Sequence, residues 1–287
     1  MDREEFMVNI KPFTVHFSPF TDFWHLPERG KTLISINNLT KLYGHFEAVH
    51  NLNLHVPAGE VFGFLGPNGA GKTTTIKVLS GLLPPTKGQV SVGGYDVVSD
   101  ALKAKAVTGF IPDTPFLFDR LTGSEFLRFA GRLYGMSNTA VREAASKQMV
   151  FFDLTQWADH LVENYSHGMK KRLAMAAALM HSPSVLIVDE PMVGLDPKGA
   201  RKVRKLFRDL AGEGMTIFLT THELSTAEAV CDRIGIIHHG QMTALGSVEE
   251  LGEQIRAPGI HLEEIFLRLT IESEGEERAL FGQDKTE

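Results

Sequence analysis

The segment GPNGAGKTT, from Gly66 to Thr74, follows the pattern G-x-x-x-x-G-K-[ST]. It comes directly after an apolar run, Val61–Leu65, and directly before residues with helical spacing, which is the context this pattern requires. Gly66, Gly69 and Gly71 let the backbone curl until successive N–H groups aim at one anion, and Asn68, Ala70 and Thr74 belong to the same cradle. The start of the following helix adds partial positive charge. Lys72 is placed to reach the β- and γ-phosphates of a nucleotide, and Thr73 to offer its hydroxyl to Mg²⁺. A second chemical element closes the apolar run VLIVDEP. Asp189 there could hold Mg²⁺ directly or through water, and Glu190 could take a proton from an attacking water and orient it. No Asn-Lys-x-Asp segment of the guanine-specific kind occurs, so adenine is the expected base. Tyr43, in KLYG, could stack on it. Ser166 and His167, in YSHGMKKRL, could be read as a nucleophile and its base. Adjacent side chains at a helix start point apart, however, and no third residue nearby orients the imidazole.

These residues need elements to hold them. From Thr32 to Gly66 the chain alternates apolar and polar residues between turn signals, as strands do. The residues after Gly71 read as a helix ending near Gly81, closed off by Pro84 and Pro85. Residues from about 115 to 182 read as mainly helical. SVLIVDEP and MTIFLTTH read as short buried strands of a parallel sheet. Between them lies an amphipathic helix with Val203, Leu206, Phe207 and Leu210 on one face. IGIIHHGQMTALG reads as a hairpin whose His238–His239 pair falls in the turn and, like most of the histidines, at the surface. The order implies an α/β core with a helical insertion. Residues 1–31, rich in proline and aromatics, read as an irregular extension, and 256–287 as a helix and an acidic tail.

The composition is that of a soluble globular protein: 43% hydrophobic and 22% charged, with a net charge of −6 that draws it to no polyanion. The lone Cys231 excludes an intrachain disulfide and suits a reducing compartment. No signal peptide is seen at the N-terminus, and no apolar run approaches the ~20 residues of a membrane span.

Taken together, Tyr43, GPNGAGKTT, YSHGM, VLIVDEP, GLDP and TTH resemble the nucleotide-binding domain of ABC transporters across residues 32–255. The resemblance implies a P-loop NTPase core with a mainly parallel sheet, an N-terminal antiparallel β subdomain and a helical subdomain inserted at about 115–182. It implies ATP and Mg²⁺ as the bound species. In the family signature, LSGGQ, this chain keeps the serine and second glycine but carries His167 and Met169 in place of glycine and glutamine. Ser166 and Gly168 would bind the γ-phosphate held by a second subunit, with two ATP sandwiched in a head-to-tail dimer. Asp196 of GLDP would help build that interface. His222 matches the switch histidine that contacts the γ-phosphate and orders the water, the one catalytic histidine expected among twelve. Where the family has a Mg²⁺-ligating glutamine, this chain has Asp113, one methylene shorter and charged. It remains a metal-site candidate, since hard cations favour carboxylate oxygen.

The resemblance further implies a transmembrane permease partner and a second ATPase subunit, expected to be a copy of this chain. It implies peripheral attachment at the cytoplasmic face of the cell membrane. Phe116, Leu117, Phe118 and Leu121 offer either a seat for the permease or ordinary packing. IPDTPFLFDRLTG, YSHGMKKRL and LEEIFLRLT look like bacterial export cassettes, and the short remainder after Pro258 leaves no space for the regulatory domain importers often add. A soluble ABC ATPase acting on ribosomes or nucleic acid is the alternative, resting on the basic run KGARKVRKLFR. That run reads more simply as a solvated helix face, and no nucleic-acid partner is expected.

Overall fold

A computed structural model describes residues 30–270. The expectations for residues 1–29 and for the acidic tail at 271–287 lie outside the described residues. The elements run β1 (Thr32–Tyr43), β2 (Phe46–Pro57), β3 (Val61–Leu65), α1 (Lys72–Leu79), β4 (Lys87–Val92), β5 (Tyr95–Asp96), α2 (Ala101–Ala106) and β6 (Thr108–Ile111). The helical stretch follows as α3 (Gly123–Leu133), α4 (Asn138–Phe151) and α5 (His167–Ala178). Then come β7 (Val185–Asp189), α6 (Pro197–Gly212), β8 (Thr216–Thr220), α7 (Leu224–Val230), β9 (Arg233–His238), β10 (Gln241–Gly246) and α8 (Val248–Gln254), with a further helical run at 262–270.

Two sheets divide the strands. The first, ordered β2-β1-β4-β5, is antiparallel throughout. The second is ordered β10-β9-β3-β8-β7-β6, and every pairing is parallel except the β9–β10 hairpin. β3 and β8 are buried along their whole length and β7 up to Asp189, because helices cover both faces of such a sheet and water meets neither. Phe62, Phe64 and Phe218 interlock between neighbouring strands, with centroids 5.6 Å and 5.4 Å apart. Such contacts contribute ~0.5–1.5 kcal/mol each beyond area burial.

The helices start where side chains can cap them. Thr122 and Glu125 form a reciprocal capping box on α3, and Ser137 caps α4. α6 buries Val203, Leu206, Phe207 and Leu210, as its period implies. α5 differs: Met169, Lys171, Leu173, Ala174, Met175, Ala176 and Ala178 are all buried, so this helix is enclosed on most sides.

Two histidines depart from the surface reading. His238 is the last residue of β9, paired with Gln241 of β10, and is 6% exposed; only His239 occupies the exposed turn. His181 lies against Tyr134 with ring centroids 3.5 Å apart and is half-buried. The basic run on α6 is locally balanced, since Lys202 pairs with Asp153, Lys205 with Asp209 and Arg208 with Asp232. Among the described residues no helix is long and apolar enough to cross a membrane.

Candidate functional site

The loop between β3 and α1 is held open by glycine. A Cβ on Gly66 would come within 2.2 Å of the Ile237 carbonyl oxygen. Gly71 has φ 107, and a Cβ there would lie 2.5 Å from the Ala48 oxygen, so neither position admits a side chain. Gly71 then caps α1, leaving the first backbone N–H groups of that helix facing the loop. The Lys72 ammonium donates to the carbonyls of Gly66 at 2.5 Å and Pro67 at 2.9 Å, which places it across the loop. Burial holds Lys72 below the usual lysine range, while the carboxylates of Glu190 and Asp189 oppose that shift.

Those carboxylates emerge from the carboxyl end of β7, where open α/β sheets place their ligands. β8 runs beside it in register, and the Thr220 hydroxyl donates to Asp189 at 2.5 Å. Glu190 has φ 49, unusual for a side chain of this kind and found where a site demands it. Its backbone N–H is tied to the Thr220 carbonyl at 3.1 Å. Its carboxylate accepts from the His222 backbone N–H at 3.4 Å and lies 2.9 Å from Nδ1 of the same residue. That hydrogen bond, with the negative charge behind it, raises the His222 pKa above its usual value. His222 therefore orients Glu190, a role the sequence reading had not assigned to it.

These groups face one cleft of about 520 Å³, within the range of ~300–1,000 Å³ that suits a small-molecule ligand. Tyr43, Asn68, Gly69, Gly71, Lys72, Thr73 and Thr74 line it. So do Asp113, Asp189, Glu190 and His222. Gly66 and Ala70 belong to the loop but are buried. Phe46, paired directly with Tyr43 across the β1–β2 turn, lines the cleft as well and had not been singled out. The donor set fits Mg²⁺: one hydroxyl, Thr73, and two carboxylates, Asp189 and Asp113, share the cleft with the phosphate loop. This ion takes few protein ligands and completes its shell with phosphate oxygens and water. Among the described residues no cluster of three His, Cys, Asp or Glu could hold a metal unaided.

Ser166, Gly168 and Asp196 are not in that cleft. They line a second one of about 620 Å³, together with His167, Gly194 and Arg172. Ser166 caps α5, its oxygen accepting from the Met169 N–H at 3.3 Å, which leaves the hydroxyl proton available to a ligand. The His167 ring is turned onto Gly194, where a Cβ would meet it at 2.2 Å. Serine and histidine thus serve different contacts, which is not the geometry of a nucleophile and its base. Asp196 caps α6, accepting from the Gly199 N–H at 3.0 Å, with Pro197 at the first helical position.

Two further residues escaped the sequence reading. Thr220 orients Asp189, and only the β7–β8 register reveals it. Lys171 is fully buried, with its ammonium against the loop that carries Asp113. In sequence it stands between Lys170 and Arg172, and nothing in that basic run marks it as the buried one.

A phosphate loop between a buried strand and a helix, facing paired acids at the end of a parallel strand, defines a nucleotide-hydrolysing α/β protein. Comparison with known proteins narrows this. Residues 49–193 match the family described as ABC transporter. The linearmycin resistance ATP-binding protein LnrL of Bacillus subtilis (strain 168) is 40% identical over 219 residues, covering 76% of this chain and 70% of its own length. A solved ATP-binding subunit of an ABC transporter is 32% identical and superimposes with a TM-score of 0.79, covering 83% of this chain and 99% of its own. The ATP-binding cassette MJ0796, solved as a post-hydrolysis dimer bound to ADP and Pi, is 26% identical with a TM-score of 0.69, covering 75% and 99%. The chain belongs to the ABC transporter family, as an ATP-binding, ATP-hydrolysing subunit.

Proposed function

We propose that two copies of this chain close head-to-tail around two ATP molecules and so drive a separate transmembrane permease that exports its cargo. The observation that carries this reading is the division of the nucleotide-binding residues between two clefts of one chain. Each cleft holds only part of what a nucleotide needs. A second copy, turned head-to-tail, supplies Ser166, Gly168 and Asp196 to the phosphate loop of the first. The dimeric state of the MJ0796 cassette supports the same arrangement.

Within one composite site, Tyr43 stacks on the base, and the loop from Gly66 to Thr74 wraps the phosphates. Lys72 leaves its two loop carbonyls for the β- and γ-phosphates. Thr73, Asp189 and Asp113 would hold Mg²⁺, which when bound neutralises charge on those phosphates. Glu190, fixed by His222, takes the proton of the attacking water. Loss of the γ-phosphate removes the contacts that join the two copies, and the dimer opens.

Next to Asp113 in sequence, Phe116 is 91% exposed and Phe118 48%, and Phe118 meets Phe129 edge-on at 5.2 Å. These rings seat the permease, while Leu117 and Leu121 are partly buried against the core and pack internally. The work then takes place at the cytoplasmic face of the membrane, with the chain attached peripherally. The drug-resistance name of the LnrL relative supports export. The test is to recover tagged Glu190→Gln protein from its native membranes in mild detergent. A polytopic membrane protein in near-equal amount supports the reading; soluble or ribosomal partners alone overturn it.

A further inference from the structure

Lys171 is the most deeply enclosed cation described, with no side-chain exposure. Its ammonium reaches the Asp113 carbonyl at 2.8 Å and the carbonyls of Pro112 and Asp189 at 3.4 Å each. An ammonium has three donors, and all three are used. The Asp113 carboxylate lies 3.9 Å away. Each of these contacts is at the nucleotide cleft: Pro112 and Asp113 lead out of β6, and Asp189 ends β7.

The helix that carries Lys171 belongs to the other cleft. α5 begins at His167, capped by Ser166, little more than one turn before Lys171. One short segment therefore ends in a cap that lines the second cleft on one side and in a buried cation gripping the phosphate-loop cleft on the other. Burial of a charge costs free energy, and an apolar side chain of similar volume is often as good or better for stability alone. A lysine here is therefore better explained by the positions it sets than by packing.

We propose that Lys171 is a positioning residue that couples the two nucleotide sites of the dimer. When the partner's γ-phosphate engages Ser166, α5 is drawn toward it. The ammonium then carries the Pro112–Asp113 loop and the end of β7 with it, moving Asp113, Asp189 and the adjacent Glu190 into place at the subunit's own ATP. The proposal rests on the head-to-tail dimer argued above.

The test is steady-state ATP hydrolysis by the full-length chain and its Lys171→Met variant across ATP concentration, beside ATP binding to the monomer. The wild type is expected to respond cooperatively. In the Met variant kcat falls by about ten- to a hundredfold, the scale of a misplaced catalytic group, while monomer affinity changes less than about twofold. Its Hill coefficient drops to one. Lys171→Gln keeps two donors without the charge and serves if the Met variant does not fold. A folded variant with wild-type kcat and cooperativity overturns the proposal. So does a parallel loss of kcat and monomer affinity, which marks a purely local structural role, and so does a non-cooperative wild type. A Glu190→Gln chain that stays monomeric at saturating ATP and Mg²⁺ overturns the dimer reading itself, which separates the two failures.

Discussion

Glu190→Gln is the most informative single change, because it removes one proton acceptor and almost nothing else. The two side chains have the same shape. Glutamine can still accept the His222 N–H that Glu190 accepts at 3.4 Å, and its amide can donate to Nδ1, now 2.9 Å from the carboxylate. The backbone at φ 49 is equally strained in both, so the fold is expected to be unchanged. The cleft loses one negative charge beside the phosphate loop, which removes repulsion from the γ-phosphate. ATP affinity should hold or rise. What disappears is the base, and a positioned base contributes about 10²–10⁴ in rate, or roughly 3–5 kcal/mol of barrier. Single-turnover phosphate release should slow by that factor, and size-exclusion chromatography with ATP should show a trapped dimer. Glu190→Asp is the control. Aspartate tolerates positive φ better than glutamate but withdraws the carboxylate by a methylene, so it should fold as well and still lose about 10² in rate. If Glu190→Gln turns over within about threefold of the wild type, less than 1 kcal/mol, the carboxylate is not the base and the chemistry must be reassigned.

Lys72→Ala removes the charge-assisted contacts to the phosphates, so ATP binding should weaken by roughly 10–100-fold and hydrolysis should cease, read by calorimetry and phosphate release. Tyr43→Ala should weaken ATP binding by ~1–3 kcal/mol while Tyr43→Phe keeps it, since stacking needs only the ring. Ser166→Arg should block hydrolysis but leave ATP binding to the monomer intact; loss of both would place Ser166 at the subunit's own nucleotide. His181 is half-buried against Tyr134, and the loss of solvent around its ring pushes its pKa down from 6.5 to about 4. Between those values the unfolded chain holds a proton that the folded chain refuses, so stability is full above pH 6.5 and falls as pH drops toward 4. The loss amounts to roughly 3 kcal/mol, and urea unfolding at several pH values should show it flattened in His181→Gln.

The legible part of this protein was local in the chain. The phosphate loop, the acids ending β7 and the apolar face of α6 each occupy one continuous segment, and spacing alone identifies them. What stayed hidden depends on strand neighbours. His238 looked like a turn residue, whereas β9 runs through it and pairs it with Gln241, so the turn begins one residue later. Thr220 orients Asp189 only because β8 lies beside β7 in one register. Lys171 looked like one more charge in a basic run, since nothing in KKRL says which lysine turns inward. Lys170 next to it reaches the exposed Asp119 instead. Ser166 was read as a ligand contact and Asp196 as part of the dimer interface, and the structure adds that both already cap helices.

That double use has a mechanical consequence. Glu190 at the first cleft and Asp196 at the second are joined by a short connection that ends in the cap of α6. The His167 ring rests on Gly194 within that connection, and a Cβ on Gly168 would meet the Gly194 oxygen at 2.9 Å. The two clefts therefore touch one stretch of backbone, and a side chain at position 194 should disturb both at once. Gly194 has φ 81, so Gly194→Ala is strained before the clash with His167 is counted. Relief of that clash by His167→Gly in the double variant should restore part of the dimerisation lost in Gly194→Ala, measured on the Glu190→Gln background. Equal defects in the single and double variants would mean that backbone strain alone is responsible and that the His167 contact carries no coupling.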